Sequence, residues 1–568
     1  MRRRADHDGV DVLLVDTGDR IEGNGLYDGS EPRGKYYFGI LDKQHIDLIC
    51  SGNHELYNTN SSNDEFYKTV PAFKDNYLAS NLDIYNPNTG ELEPLAPRFK
   101  KFSTKNQGIR ILAFGFIFDF TGNANNTIVT PVEDAIKQDW FQKVIRDRDV
   151  DLILVFGHVA IRSKEYDDIF KAIRGVQWDT PIAFLGGHSH IRDFKIYDNK
   201  AAALESGRYF ETIGFLSISG LNAPKATGDR LSATTNPTFA RRYIDNNLYS
   251  LHHHTDTTNT TFPTPNGLNI SSAIHTARKH LKLNQFRGCA PQPLYVNRAP
   301  YPSNASIFTW LQTAVLPTQL RLSHRLTHDG KKALALTNTG AMRFDIFAGP
   351  FTRDTEFLVS PFTSGFRFLA DVPWTVAKRV LPLLNSEGPV VGDLEKVGWG
   401  RWMLVPPEQV SGRVRGQVDG GLVDGGVSAD GDEARASLYV GVGQEPLLGA
   451  ATKGNRDNGG PKIDLRPGYT TADDLGDDGD DTLHSPIAFY SVPNCIQAPV
   501  GFDIEQPPET VDLVYNDFLQ PWILLAMKYL GQKYEEKDVQ VYLEGKTFTD
   551  VIREWVTENW NVKGDACS

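Results

Sequence analysis

The sequence predicts an α/β fold built in layers. Short apolar, β-branched runs recur through the first 220 residues, at Val12–Val15, Ile46–Cys50, Ile111–Phe116, Leu152–Phe156 and Ile182–Leu185. Each ends in a glycine-containing turn and leads into a helix-like or mixed segment. Unbroken apolar runs of this length read as strands buried on both faces, as in a sheet covered by two layers. The stretches Tyr36–Gln44 and Val132–Arg146 between them carry helix-compatible spacing.

At 568 residues the chain is too long for one ordinary domain. Residues 1–250 read as the first domain and 251–294 as a linker with a connecting helix. Residues 295–568 read as a second, α+β domain. The linker helix is expected over Ser271–Asn284, where Ile274, Ala277, Leu281 and Leu283 are spaced along one face. Before it, Leu221–Thr264 reads as irregular and includes His252, His253 and His254. Gly/Val/Asp-rich low complexity around 409–436 marks an insertion in the second domain. The end, Val511–Trp560, reads as helical and amphipathic.

The net charge of −12, from 59 Lys+Arg against 71 Asp+Glu, argues against a nucleic-acid binder, which normally shows a basic face. Much of the excess lies in Asp473, Asp474, Asp477, Asp478, Asp480 and Asp481. Small anionic substrates stay open, because a bound metal can dominate the local charge. No apolar run approaches the roughly 18 residues of a membrane span. The start, Met1 to Asp8, has a signal peptide's leading charge without an apolar segment behind it. Cys50 reads as a buried strand residue, and Cys289 with Cys495 as a pair for an oxidising compartment. Sequons beginning at Asn60, Asn125, Asn259, Asn269 and Asn304 point to a secretory, vacuolar or extracellular route, and to the cytosol if unused.

The chemistry lies where the strand runs end. Val15 leads into Asp16-Thr17-Gly18-Asp19, and Cys50 into Ser51-Gly52-Asn53-His54-Glu55. Phe156 leads into Gly157-His158, and Leu185 into Gly186-Gly187-His188-Ser189-His190. Ligands of α/β sheets gather beyond the carboxyl ends of the strands. These segments therefore bring a carboxylate, an amide oxygen and several imidazoles to one rim. Mixed oxygen and nitrogen donors suit Zn, Mn or Fe better than Ca. Two such ions about 4 Å apart can clamp a phosphate and activate water between them. A lone Gly-Asp or Gly-His is ordinarily a turn. It is the ordered series that signals a site.

That series resembles the calcineurin-like metallophosphoesterase superfamily, and within it the 5′-nucleotidase/UDP-sugar hydrolase branch. Asp16 to Gly25 is most similar to an uncharacterised fungal group of that branch. The resemblance implies a layered α/β/β/α sandwich followed by a 5′-nucleotidase-like C-terminal domain. It implies that Asp19 bridges two metals, that Asn53, His158 and His188 complete one ion, and that His190 serves the other. It makes His54 the acid that protonates the leaving group. In the second domain, Asn338-Thr339-Gly340-Ala341-Met342-Arg343 resembles a nucleotidase segment whose arginine contacts substrate. Gly476-Asp477-Asp478-Gly479 resembles one whose aspartate, here Asp478, holds a ribose hydroxyl.

The pattern also departs from the family. The Asp-x-His of the first strand is absent, and Asp6-His7-Asp8 has neither the order nor a preceding strand. The position three residues after His54, often Asp in the family, is Tyr57. Ala472 stands where a base-stacking aromatic is expected, with Tyr469 or Phe366 as replacements. The expected function is hydrolysis of a nucleotide or related small phosphomonoester through a two-metal site. The chain is expected to be an N-terminally shortened version of the working protein, holding one metal where the complete form holds two. Alternatives are a nucleotide-sugar or other phosphodiester substrate, or a binding protein with an impaired site.

Overall fold

The computed structural model describes residues 1–221, 237–386, 388–395, 403–406, 409, 465–467, 471–483, 487–560 and 567. Apart from Gln409, the low-complexity insertion lies outside the described residues, as does Tyr469.

A seven-stranded sheet organises the N-terminal half. Its order is Ala472–Asp473, Arg192–Asp198, Ala201–Ser206, Ile182–Gly186, Leu152–His158, Arg110–Ile117 and Phe99–Ser103. The central strands run parallel, and their alternating residues face two different layers. Leu112, Phe114, Val155 and Phe184 pack against Tyr166, Ile169 and Ile173 of the helix Lys164–Arg174. Ile111, Ala113, Leu154 and Phe156 pack against Leu48 and Cys50 on the opposite face. That second layer holds a separate parallel pair, Val15–Asp16 with Leu48–Ile49. Two of the turns that carry candidate ligands thus leave one layer and two leave the other, meeting at the same end of the sandwich.

The second body is a five-stranded sheet in the order Cys495–Val500, Ala333–Asn338, Thr510–Asn516, Phe366–Pro373 and Gln540–Val541. Helices Gln520–Tyr529 and Phe548–Asn559 cover its two faces, the first through Trp522, Ile523 and Ala526, the second through Val551, Ile552 and Val556. The acidic stretch crosses back to the first body. Ala472–Asp473 forms an edge strand beside Asp193–Phe194. Asp473 pairs with Arg241 at 2.6 Å, Asp474 with Arg162 at 2.8 Å, and Asp481 with His254 at 2.7 Å.

Several expectations need correction. The first strand run shrinks to Val15–Asp16, because its partner Leu48–Ile49 offers only two residues of ladder and leaves Leu14 largely exposed. Within 221–264, described as irregular from sequence, lie the strand Thr238–Asp245 and the helix Leu248–Thr255 that carries the three histidines. The linker helix begins earlier, at Pro265, because the Thr264 side chain caps it by accepting the Gly267 amide; it ends at His280. The stretch from Val511 opens with a strand, Thr510–Asn516, central in its sheet. Cys289 bonds to Cys567 and not to Cys495. The carbonyl of Trp560 accepts the Cys289 amide and brings the C-terminal end alongside, whereas Cys495 is buried in a strand opposite Asn338.

Candidate active site

Asp19 is the centre of the site, held from behind. The buried Glu55 carboxylate accepts the amides of Asp19 at 2.9 Å, Arg20 at 2.6 Å and Gly52 at 2.7 Å, locking the Gly-Asp turn to the Gly-Asn-His-Glu turn. Both turns need their glycines. Gly18 has φ +92°, and a Cβ at Gly52 would overlap the Asp19 carboxylate. The Arg20 guanidinium points away from the site to Asp16 at 2.9 Å and Glu65 at 2.7 Å, with both Arg20 and Glu65 buried. Asp16 is thereby engaged in the turn.

Donor atoms of Asp19, His158 and His188 all lie within 4.8 Å of one another. His158 Nδ1 donates to the Thr17 carbonyl at 3.0 Å, which turns Nε2 toward Asp19 Oδ2, also at 3.0 Å. His188 Nδ1 faces that same Nε2 at 3.2 Å. Asn53 Oδ1 is buried without a hydrogen-bond partner, while its amide nitrogen donates to Tyr57. His190 is half-buried beside them, with its Nδ1 inaccessible and unpartnered and its ring against Tyr209. Asp19, His188 and His190 have φ of 60°, 77° and 61°. Non-glycine residues in that left-handed region are uncommon and cluster at functional sites.

The electrostatics suit a bound cation. Burial opposes a charge on Asp19, but His158 and His54 outweigh it and hold the carboxyl well below its usual range. Burial, aided by His158, pushes His188 down to about 3, and burial with Arg208 pushes His190 well below its usual value. Both rings are therefore neutral at ordinary pH, the form in which imidazole binds metal. Burial also works against charge on His54. There, Asp19 and the Glu22 carboxylate prevail and hold it above its ordinary range. His54 Nε2 stands 3.9 Å from Asp19 Oδ2, beside the donor cluster.

Of the residues singled out from sequence, Asp19, Asn53, His54, His158 and His188 converge, and His190 lies beside them. Arg343, on the second body, is joined to the same neighbourhood through Tyr209, whose ring packs against His190. Its guanidinium stacks on Phe362 at 4.9 Å, and its carbonyl accepts the Tyr209 hydroxyl at 3.2 Å. Asp478 is elsewhere. Its side chain is 79% exposed and pairs with Arg241, in the segment docked on the N-terminal sheet. Phe366 is buried in its strand. Glu22, Glu55 and Glu205 were not foreseen. The buried Glu205 accepts from Ser189 Oγ and so braces the turn between His188 and His190.

Comparison with known proteins places both halves of the chain in known families. Residues 2–192 match the calcineurin-like phosphoesterase model, and 293–524 match the NAD nucleotidase C-terminal domain. An uncharacterised protein of Schizosaccharomyces pombe is 35% identical, over 98% of this chain and 83% of its own length. A protein of Arthroderma benhamiae named as secreted is 33% identical, over 99% of this chain and 85% of its own. The crystal structure of 5′-nucleotidase from Candida albicans superposes with a TM-score of 0.77 at 34% identity, covering 98% of this chain and 91% of the other. Fold and site together define a hydrolase of phosphoric ester bonds. The chain belongs to the calcineurin-like phosphoesterase family and carries a nucleotidase-type C-terminal domain. Members of this family use divalent metal ions.

Proposed function

We propose that the chain hydrolyses a small phosphomonoester, a nucleotide or a close relative, between its two bodies. The observation that carries this reading is the convergence of donor atoms from Asp19, His158 and His188 within 4.8 Å of one another, in a site where the Asn53 oxygen is also buried and unpartnered. This donor set fits a Zn, Mn or Fe ion held by Asp19, Asn53, His158 and His188. When bound, such an ion polarises the phosphoryl oxygens and lowers the pKa of water. For a second ion the described residues offer Asp19 and His190, fewer donors than a closed site needs, so one ion per chain is expected.

His54 is the general acid in this reading. As the phosphorus–oxygen bond breaks, its electron pair stays on the leaving oxygen, which takes the proton from His54 Nε2. Water adds to phosphorus and releases a proton. Arg343 contacts the phosphate or ribose from the second body. His54→Ala should lower kcat by about 10²–10⁴ with metal content unchanged. Loss of metal with little change in rate would instead make His54 a ligand.

A second reading, a nucleotide-sugar or another phosphodiester, is favoured by the match of residues 293–524 to the NAD nucleotidase C-terminal domain. Comparing monoesters with dinucleotides and nucleotide-sugars separates the two. A secretory route is supported by the exposure of Asn60, Asn125, Asn259, Asn269 and Asn304, by the disulfide, and by the relative named as secreted. Mass spectrometry of the native protein should find glycan on these sequons. All five bare, with Cys289 reduced, would place the protein in the cytosol.

A further inference from the structure

His54 is held by a carboxylate that does not come from its own turn. Its Nδ1 lies 2.7 Å from Glu22 Oε2, and both side chains are largely buried, at 15% and 4% exposure. Tyr57, three residues after His54, is occupied with Asn53 at 2.9 Å. Glu22 reaches in from the segment after Asp19, with a φ of 64° that few non-glycine residues adopt. Its other oxygen faces Arg33 at 3.6 Å. Arg33 also pairs with Asp28 and donates to the Pro361 carbonyl of the second body at 3.3 Å.

We propose that Glu22 is the positioning residue for His54, accepting from Nδ1 so that Nε2 is presented to the leaving oxygen beside Asp19. Arg33 fixes the carboxylate in turn, and its bond to Pro361 makes the aim of His54 depend on the docking of the second body. The inference rests on the reading of His54 as the general acid. A carboxylate on the far ring nitrogen selects the tautomer and the ring orientation, as it does wherever an imidazole must hold or give a proton at one defined atom. Asp19 and Glu22 both face the ring, Arg343 adds an opposing charge, and Tyr57 packs edge-on at 5.1 Å.

The test uses leaving groups of different quality. Glycerol phosphate leaves as a poor alkoxide that needs the proton, whereas nitrophenyl phosphate leaves as a stable phenolate that does not. Wild type, Glu22→Gln and His54→Ala are compared on both, with metal content and melting temperature measured alongside. Glu22→Gln should lower kcat for glycerol phosphate about 10- to 100-fold, the range for losing an orienting partner of an imidazole. Nitrophenyl phosphate should lose less than about threefold, with metal content unchanged. Equal losses on both substrates, or loss of metal, would make Glu22 a structural residue and overturn the inference. If His54→Ala itself shows no dependence on the leaving group, the general-acid reading fails first and the inference falls with it. Should the glutamine variant not fold, Glu22→Asp withdraws the acceptor while keeping the charge, and the same loss confined to glycerol phosphate is expected.

Discussion

Asp19 and Glu55 are joined through the backbone, the Glu55 carboxylate accepting the Asp19 amide at 2.9 Å. That contact fixes the backbone from which the Asp19 carboxylate projects. Glu55→Gln replaces one oxygen by a donor that must face another N–H. It should cost about 1–3 kcal/mol, the range for leaving a buried donor unpaired, and should lower metal retention even though Glu55 is no ligand. Thermal melting and metal analysis of the purified variant check this. Full metal content at unchanged stability would separate Glu55 from the site.

Arg343→Ala is expected to raise KM for the true substrate while leaving nitrophenyl phosphate nearly intact, because the proposed contact to phosphate or ribose comes from the second body, and ligand sites are usual between domains. Equal effects on both substrates would assign Arg343 to support of the cluster.

Glu205 gives a pH prediction. Burial, reinforced by Asp193, pushes its carboxyl well above the ordinary value of 4.5 despite its bonds to Ser189 and Ile161. A carboxyl raised in the folded state adds stability that is full below the unfolded pKa and is lost as pH climbs towards the folded one. Wild-type stability should therefore decline from about pH 4.5 upward relative to Glu205→Gln, which cannot ionise. Melting curves from pH 4 to pH 9 measure the difference. A constant gap across that range would contradict it.

The acidic segment predicts a mechanical link between the two bodies. Asp473 and Arg241 pair with side-chain exposures of 2% and 7%, and Asp474 accepts the Ile196 amide at 2.9 Å. Breaking one partner of a buried pair is expensive, about 3–5 kcal/mol in known cases. Asp473→Ala should speed hydrogen exchange at Phe194, Ile196 and Asp474 before it affects the interior strands Leu152–His158 and Ile182–Gly186. Unchanged exchange there would mean that the strand pairing stands without the ion pair.

How much of this was legible in the sequence follows from how local each signal is. The four turns stand out in the sequence because a strand end, a glycine and a candidate ligand are adjacent in the chain, at Asp19, Asn53, His158 and His188. Glu55 lay within the same motif, but its task, bonding amides some 35 residues away, is a tertiary fact. Glu22 was hidden for the same reason, since nothing at position 22 points to His54. The Gly-Asp-Asp-Gly pattern looks like a ligand loop in sequence, but Asp478 pairs with Arg241, and the flanking Asp473, Asp474 and Asp481 pair with Arg241, Arg162 and His254 of the first body. The disulfide depended on where the C-terminal end returns, which spacing does not encode.

If the Asp19 cluster holds a divalent ion and hydrolyses phosphoesters, turnover must follow bound metal. The direct measurement is phosphate release from a panel of small phosphoesters by the full chain, stripped with a chelator and then reloaded with Mn²⁺, Zn²⁺ or Co²⁺, beside His188→Ala treated alike. Stripping should abolish turnover, reloading should restore it in step with bound metal, and His188→Ala should recover neither. Turnover indifferent to stripping, or equal recovery in His188→Ala, would contradict that role for the cluster.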